Sequence, residues 1–73
     1  MNITWSPRPL SDLGDLIGYT IMIICEEGAY TGGLKNITEM DIDIEVGEGE
    51  VLSIGRKMLE SDLTELYIAE VLI

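Results

Sequence analysis

Asp41-Ile42-Asp43-Ile44-Glu45-Val46 alternates acid and aliphatic without a break. Side chains of a strand point to opposite faces in turn, so the three acids share one face and Ile42, Ile44 and Val46 the other. This is a strand with one wet face and one buried face, which sets the fold class as mainly β. Outward from it, Gly47-Glu48-Gly49-Glu50 reads as an acidic turn. Val51 to Met58 reads as the next strand and carries Arg56 and Lys57. In a strand these adjacent cations point to opposite faces. On the N-terminal side, Tyr19 to Glu26 is β-branched and apolar, and Glu26-Glu27-Gly28-Ala29 is a turn. Tyr30 to Ile37 is a strand in which Gly32-Gly33 predicts a bend or bulge.

Glu60-Ser61-Asp62 turns the chain into a final strand within residues 63–73. There Leu66, Ile68 and Leu72 face one way, and Tyr67, Ala69, Val71 and Ile73 the other. A strand apolar on both faces needs cover on both. The expected cover for the second face is a neighbouring copy, with Leu66, Tyr67, Ile68, Ala69, Val71 and Ile73 as the interface. At the other end, Pro7 and Pro9 hold Arg8 extended, and residues 1–9 read as an arm outside regular structure. Ser11 is a candidate cap for one or two helical turns in which Leu13, Leu16 and Ile17 share a side; Gly18 ends them. The expected architecture is a five-stranded, bent, open barrel over residues 10–73, preceded by this helical turn.

The chain has 73 residues, one cysteine and no histidine. One domain of this size buries too little surface to be robust alone and needs a disulfide, a metal or self-association. Cys25 rules out an internal disulfide. It lies in Ile21-Met22-Ile23-Ile24-Cys25 as a small buried hydrophobe and suits a reducing compartment. Self-association is the remaining support. There is no basic, apolar leader and no run long enough to span a bilayer, so the expectation is a soluble, cytoplasmic protein without a membrane role.

Fourteen acids against four bases give a net charge of −10. Few cations are available to neutralise phosphates, and the balance suits a basic protein partner. Asp41 to Glu45 does not make a calcium loop: Val46 stands where the turn glycine is needed and Leu52 where the bidentate acid belongs. Gly28 and Gly33 have phosphate-loop spacing, but Leu34 replaces the lysine. Glu26 and Glu27 oppose thiolate formation at Cys25. No pair of acids is marked as convergent, so no catalytic residue, metal ligand or cofactor is expected.

Tyr30-Thr31-Gly32-Gly33-Leu34-Lys35-Asn36-Ile37, followed by Met40-Asp41-Ile42-Asp43-Ile44, resembles the first motif of the Sm/LSm family, with one residue deleted before Met40. Leu59-Glu60-Ser61-Asp62 before Leu66-Tyr67-Ile68 is similar to the second. The opening Leu10-Ser11-Asp12-Leu13 with Leu16-Ile17-Gly18 resembles a PRC-type barrel, over less of the chain. The Sm resemblance implies a homo-oligomeric ring of about five to seven copies, joined head to tail by strand pairing. It also implies binding of single-stranded RNA or DNA in a processing role. In that family, bases sit between an Asn and an Arg; here Asp41 and Glu60 take those slots and disable that pocket. Binding would fall to Lys35, Asn36 and Asp41 near the pore, with Arg8 and Trp5 on the arm. The competing expectation is an acidic oligomeric scaffold, or nucleic-acid mimic, that binds a protein. Such a compact acidic chain suits a virus- or phage-encoded protein.

Overall fold

The computed structural model describes residues 2–72, with side chains described through residue 71. Six antiparallel strands make one open sheet: β1 (Asn2–Arg8), β2 (Thr20–Cys25), β3 (Gly28–Ile37), β4 (Asp41–Gly47), β5 (Glu50–Gly55) and β6 (Glu65–Leu72). Two short 3₁₀ helices interrupt them, η1 (Leu10–Leu16) and η2 (Arg56–Glu60). The order across the sheet is β1-β6-β2-β3-β4-β5. The chain is mainly β, as its alternation requires, with one strand more than expected.

One face of the sheet carries the core. Ile21 and Ile23 from β2, Leu34 from β3, and Ile42 and Ile44 from β4 are fully buried. Ile54, Leu66 and Ile68 join them from β5 and β6, and Leu13, Leu16 and Leu59 come from the two helices. Residues from strands toward opposite ends of the sheet thus share one cluster, so the sheet bends around it. Each fully buried aliphatic side chain contributes about 1.5–3 kcal/mol.

The bend has a local cause at Gly32. A Cβ there would collide with the Glu45 carbonyl oxygen and come within 2.9 Å of its carbon. Only glycine lets β4 approach this closely. The strand does not break at Gly32-Gly33. The register shift falls two residues later, where Leu34 faces Ile44 and Asn36 faces Asp43, leaving Lys35 as the extra residue. A bulge of this type lets Lys35 and Asn36 both point outward while Leu34 and Ile37 stay on the core side.

Four expectations are corrected. Residues 2–8 are not an arm outside the sheet: they pair with β6 along their whole length, Asn2 against Leu72 to Arg8 against Leu66. Pro7 is tolerated because β1 is an edge strand with a neighbour on one side only. Ser11 does not cap η1; Pro9 holds the capping position without a side-chain bond, and Ile17 is half exposed while Leu13 and Leu16 are buried. The strand expected over 51–58 stops at Gly55, so Arg56 and Lys57 lie in η2 and not on opposite faces of a strand.

The fourth concerns the terminal strand. Leu66 and Ile68 belong to the chain's own core and are not surface available to a neighbour. The edge of β6 is covered too: β1 lies on one side of it and β2 on the other. Tyr67 and Ala69 are half buried and Val71 is exposed, so the outward half of the expected interface remains accessible; Ile73 lies outside the described residues.

Candidate interaction site

Lys35, Asn36 and Asp41 do come together on the outer face of β3 and β4, among acids. The Lys35 ammonium sits 3.7 Å from the Glu45 carboxylate, both side chains about half exposed. Such a pair is worth about 0–1 kcal/mol, but it neutralises the cation expected to meet a phosphate. Asn36 lies opposite Asp43, whose Oδ1 accepts a 2.7 Å hydrogen bond from Ser53 Oγ. Asp41 lies opposite Gly55. This side of the sheet therefore presents Asp41, Asp43 and Glu45 in a row, with Lys35 already engaged.

The turn between β3 and β4 is organised by Thr38. Its hydroxyl accepts from the Asp41 and Met40 amides at 3.0 and 3.3 Å, and its own amide donates to the Asp41 carbonyl at 2.8 Å. A threonine that satisfies the backbone of its own turn makes that turn stiff. Arg56 then ties the turn to η2: its amide donates to the Met40 carbonyl at 2.8 Å and its Nη1 to the Thr38 carbonyl at 3.0 Å. Beside this junction lies an open groove of ≈ 500 Å³ lined by Leu10, Ser11, Leu13, Glu39, Arg56, Leu59 and Glu60. Glu60, the residue in the arginine slot of the resemblance, thus faces the same groove as Arg56. Sequence reasoning missed Arg56 as a site residue because it read a strand through Gly55; that glycine was the available signal for a stop.

Arg8 and Trp5 do not act as a pair. Trp5 lies opposite Ala69 on the outer face, whereas Arg8 lies opposite Leu66, which points into the core. Arg8 lines a hollow with Asp12, Asp15, Leu16, Tyr19 and Ile68. Between β1 and β3 stand β6 and β2, so Trp5 and Lys35 are on the order of 14 Å apart across the sheet. The five candidate residues therefore fall in three places.

The outer face of β1-β6-β2 was not singled out in full by the sequence. Opposed residues share a face. Ile3 therefore stands beside Val71, Trp5 beside Ala69, and Pro7 beside Tyr67 and then Met22. None of these seven side chains is charged in a chain of net charge −10. Ile3 is 58% and Val71 52% exposed. These seven form an uncharged group that Glu65, opposite Ile24 on the same outer face, bounds at one end, and the acidic row of β4 lies on the same outer surface.

Cys25 is half buried at the end of β2 and not the buried hydrophobe expected, and its thiol donates to the Gly28 carbonyl at 3.4 Å. Among the described residues, no three His, Cys, Asp or Glu side chains cluster tightly enough to hold a metal ion, and no helix is long and apolar enough to cross a membrane. Comparison with protein-family models, curated proteins and solved structures finds no match to this chain.

Proposed function

We propose that the chain is a homo-oligomeric, Sm-like or SH3-like small-barrel module that works as an acidic scaffold and binds a basic surface on a protein partner. The order of η1 followed by five strands, β2 to β6, bent around one core, supports the small-barrel reading. The exposed Ile3, Trp5 and Val71 on the outer face support self-association, since grouped exposed apolar side chains mark interaction surfaces. The observation that carries the ligand class is the use of the cations. Lys35 is bound to Glu45 and Arg56 to the Thr38 carbonyl. That leaves Arg8 and Lys57, on separate elements, against fourteen acids. Phosphate binding draws on unpaired cations, whereas the row Asp41, Asp43 and Glu45 is ready for lysine and arginine side chains.

The test is a titration with a lysine- and arginine-rich peptide at low and moderate salt, using the assembled protein and a D43N/E45Q variant. Removing two of the ten net negative charges would weaken a non-specific attraction only slightly. A loss of affinity of about tenfold or more would mark this face as the site. Equal binding by both proteins would refute it.

A second reading, single-stranded RNA or DNA held by a ring of about five to seven copies, rests on one observation. The groove at the junction of the Thr38 turn and η2 brings Arg56 to an open, partly apolar surface next to Lys57. Retardation of an oligonucleotide at low salt, lost on R56A, would establish it and displace the protein-binding reading.

A further inference from the structure

The self-association proposed above leaves open which surfaces meet, and the usual route of pairing on the terminal strand is closed because β1 covers β6. Among the described residues the sheet has two strands with a neighbour on one side only, β1 and β5. We infer that copies join by pairing the free edge of β1 on one chain with the free edge of β5 on the next, head to tail, with Arg8 opposite Glu50. The inference rests on self-association and names its interface.

Three independent features agree on this pairing. The first is direction. Every neighbouring pair in the sheet is antiparallel, so across six strands β1 and β5 run in opposite senses. A second copy placed in the same orientation beside β5 therefore presents its β1 antiparallel, and the sheet continues without reversal.

The second is charge. β1 carries Arg8 and no acid; β5 carries Glu50 and no base. The two edges are complementary to one another and neither is complementary to itself. Two β1 edges meeting about a two-fold axis would give Arg8 no acidic partner on the facing strand, and two β5 edges would give Glu50 no basic one. In a chain of net charge −10, β1 is an edge strand with a cation and no acid of its own, although Asp12 and Asp15 line the hollow beside Arg8.

The third is face. Arg8 lies on the core side of β1, opposite Leu66. Glu50 alternates with Val51, which lies opposite Glu45 on the outer face, so Glu50 is on the core side of β5. Opposing residues 8 and 50 puts Pro7 against Val51 and Trp5 against Ser53 on the outer face. Val51 is 57% exposed and gains an apolar neighbour. A slip of one residue would set core-side positions against outer ones and lose both the ion pair and the apolar contact. The edge Val51-Leu52-Ser53-Ile54-Gly55 has neither charge nor proline, the usual defences of a strand that stays single; on the β1 side Pro7 donates no N–H, so the ladder forms without a bond from that residue.

The experiment is mass by light scattering across a dilution series for the wild type, R8E, E50R and R8E/E50R. Circular dichroism checks that each variant keeps its fold. The single reversals should dissociate at a concentration about tenfold higher than the wild type, and the double reversal should restore assembly. In parallel, W5C and W5C/S53C are oxidised in a C25S background. The double variant should give a ladder of covalent multimers and W5C alone none. A wild-type chain that stays at 8.1 kDa removes self-association and this interface together. An assembling wild type whose mass ignores R8E and whose double-cysteine variant gives no ladder overturns the β1–β5 interface alone. Covalent dimers from W5C alone overturn it in favour of a two-fold β1–β1 contact.

Discussion

Alanine at Gly32 should destabilise the protein severely, while alanine at its neighbour Gly33 should not. The two glycines are adjacent in one strand, chemically identical, and neither has a positive φ. What separates them is the space a methyl group would fill. At Gly32 it overlaps the Glu45 carbonyl oxygen, with the carbonyl carbon at 2.9 Å and the Val46 Cα at 3.4 Å. All three atoms are backbone, and Gly33 pairs with Glu45 in the same ladder, so relief requires moving β4 away from β3. Forcing an extra carbon into packed structure costs about 1–3 kcal/mol, and more where backbone must shift. At Gly33 a methyl group meets nothing within 4 Å. There the unfolded chain loses freedom and the folded chain loses little, a change of about 0.4–1 kcal/mol in favour of folding. A domain of this length has on the order of 4–11 kcal/mol to lose. Urea denaturation followed by circular dichroism reads both variants against the wild type. G32A should lower the midpoint with an unchanged slope, and G33A should hold or raise it. Stability of G32A within 0.5 kcal/mol of the wild type, or equal damage from G33A, would refute the argument that close approach of β4 sets the bend.

Ile44→Ala removes a fully buried side chain and should cost about 2–5 kcal/mol in the same denaturation experiment, a loss that could unfold much of the population. Thr38→Ala deletes the hydroxyl that accepts from two amides in the β3–β4 turn and should cost about 1–2 kcal/mol; Thr38→Ser, which keeps the hydroxyl, should recover most of it. Lys35→Ala breaks an exposed pair and should change stability by less than about 1 kcal/mol, so any large loss of ligand binding by this variant reports on the ligand and not on the fold. Raising NaCl from about 0.01 to 0.15 M shortens the screening length from about 30 to 8 Å. For acidic copies with a radius of gyration of 11.7 Å, light scattering should show larger mass at the higher salt. Dissociation over that range would refute self-repulsion as the controlling force.

The strands were legible where one face is buried within the chain. Asp41 to Glu45 alternates because Ile42 and Ile44 enter the core while Asp41 and Asp43 do not, and such a pattern needs no knowledge of the partner strand; Val46, expected on the buried face, is 43% exposed at the register shift between Glu45 and Gly47. Cys25, Leu34 and Tyr30 likewise fell in the strands expected of them. β1 was illegible for a physical reason. Proline removes a backbone donor, which argues against a strand in isolation but is harmless on an edge, and whether a segment is an edge depends on a strand more than fifty residues away. The end of β5 at Gly55 was hidden in the same way. Val51 to Met58 reads as continuous, and what stops it is Arg56 bonding to the Thr38 turn, eighteen residues back.

The same dependence on distant partners explains why the site residues scattered. Lys35, Asn36 and Asp41 were grouped by closeness in sequence, and the bulge at Lys35 kept them together. Trp5 and Arg8 were grouped on the same ground, but three positions along a strand is an odd step, which sends them to opposite faces. Odd and even positions also account for the divided outer surface. Ile3, Trp5 and Pro7 occupy the odd positions of β1, and Glu65, Tyr67, Ala69 and Val71 those of β6, so pairing in the observed register merges two half-apolar strands into one apolar patch with Glu65 at its end. Neither strand alone shows it. The apolar outer half of β6, which suggested a missing neighbour, is thus only partly covered when β1 arrives, because β1 adds apolar side chains of its own to that face. The structure moves the demand for a partner from the edge of the terminal strand to the edge and outer face of the first.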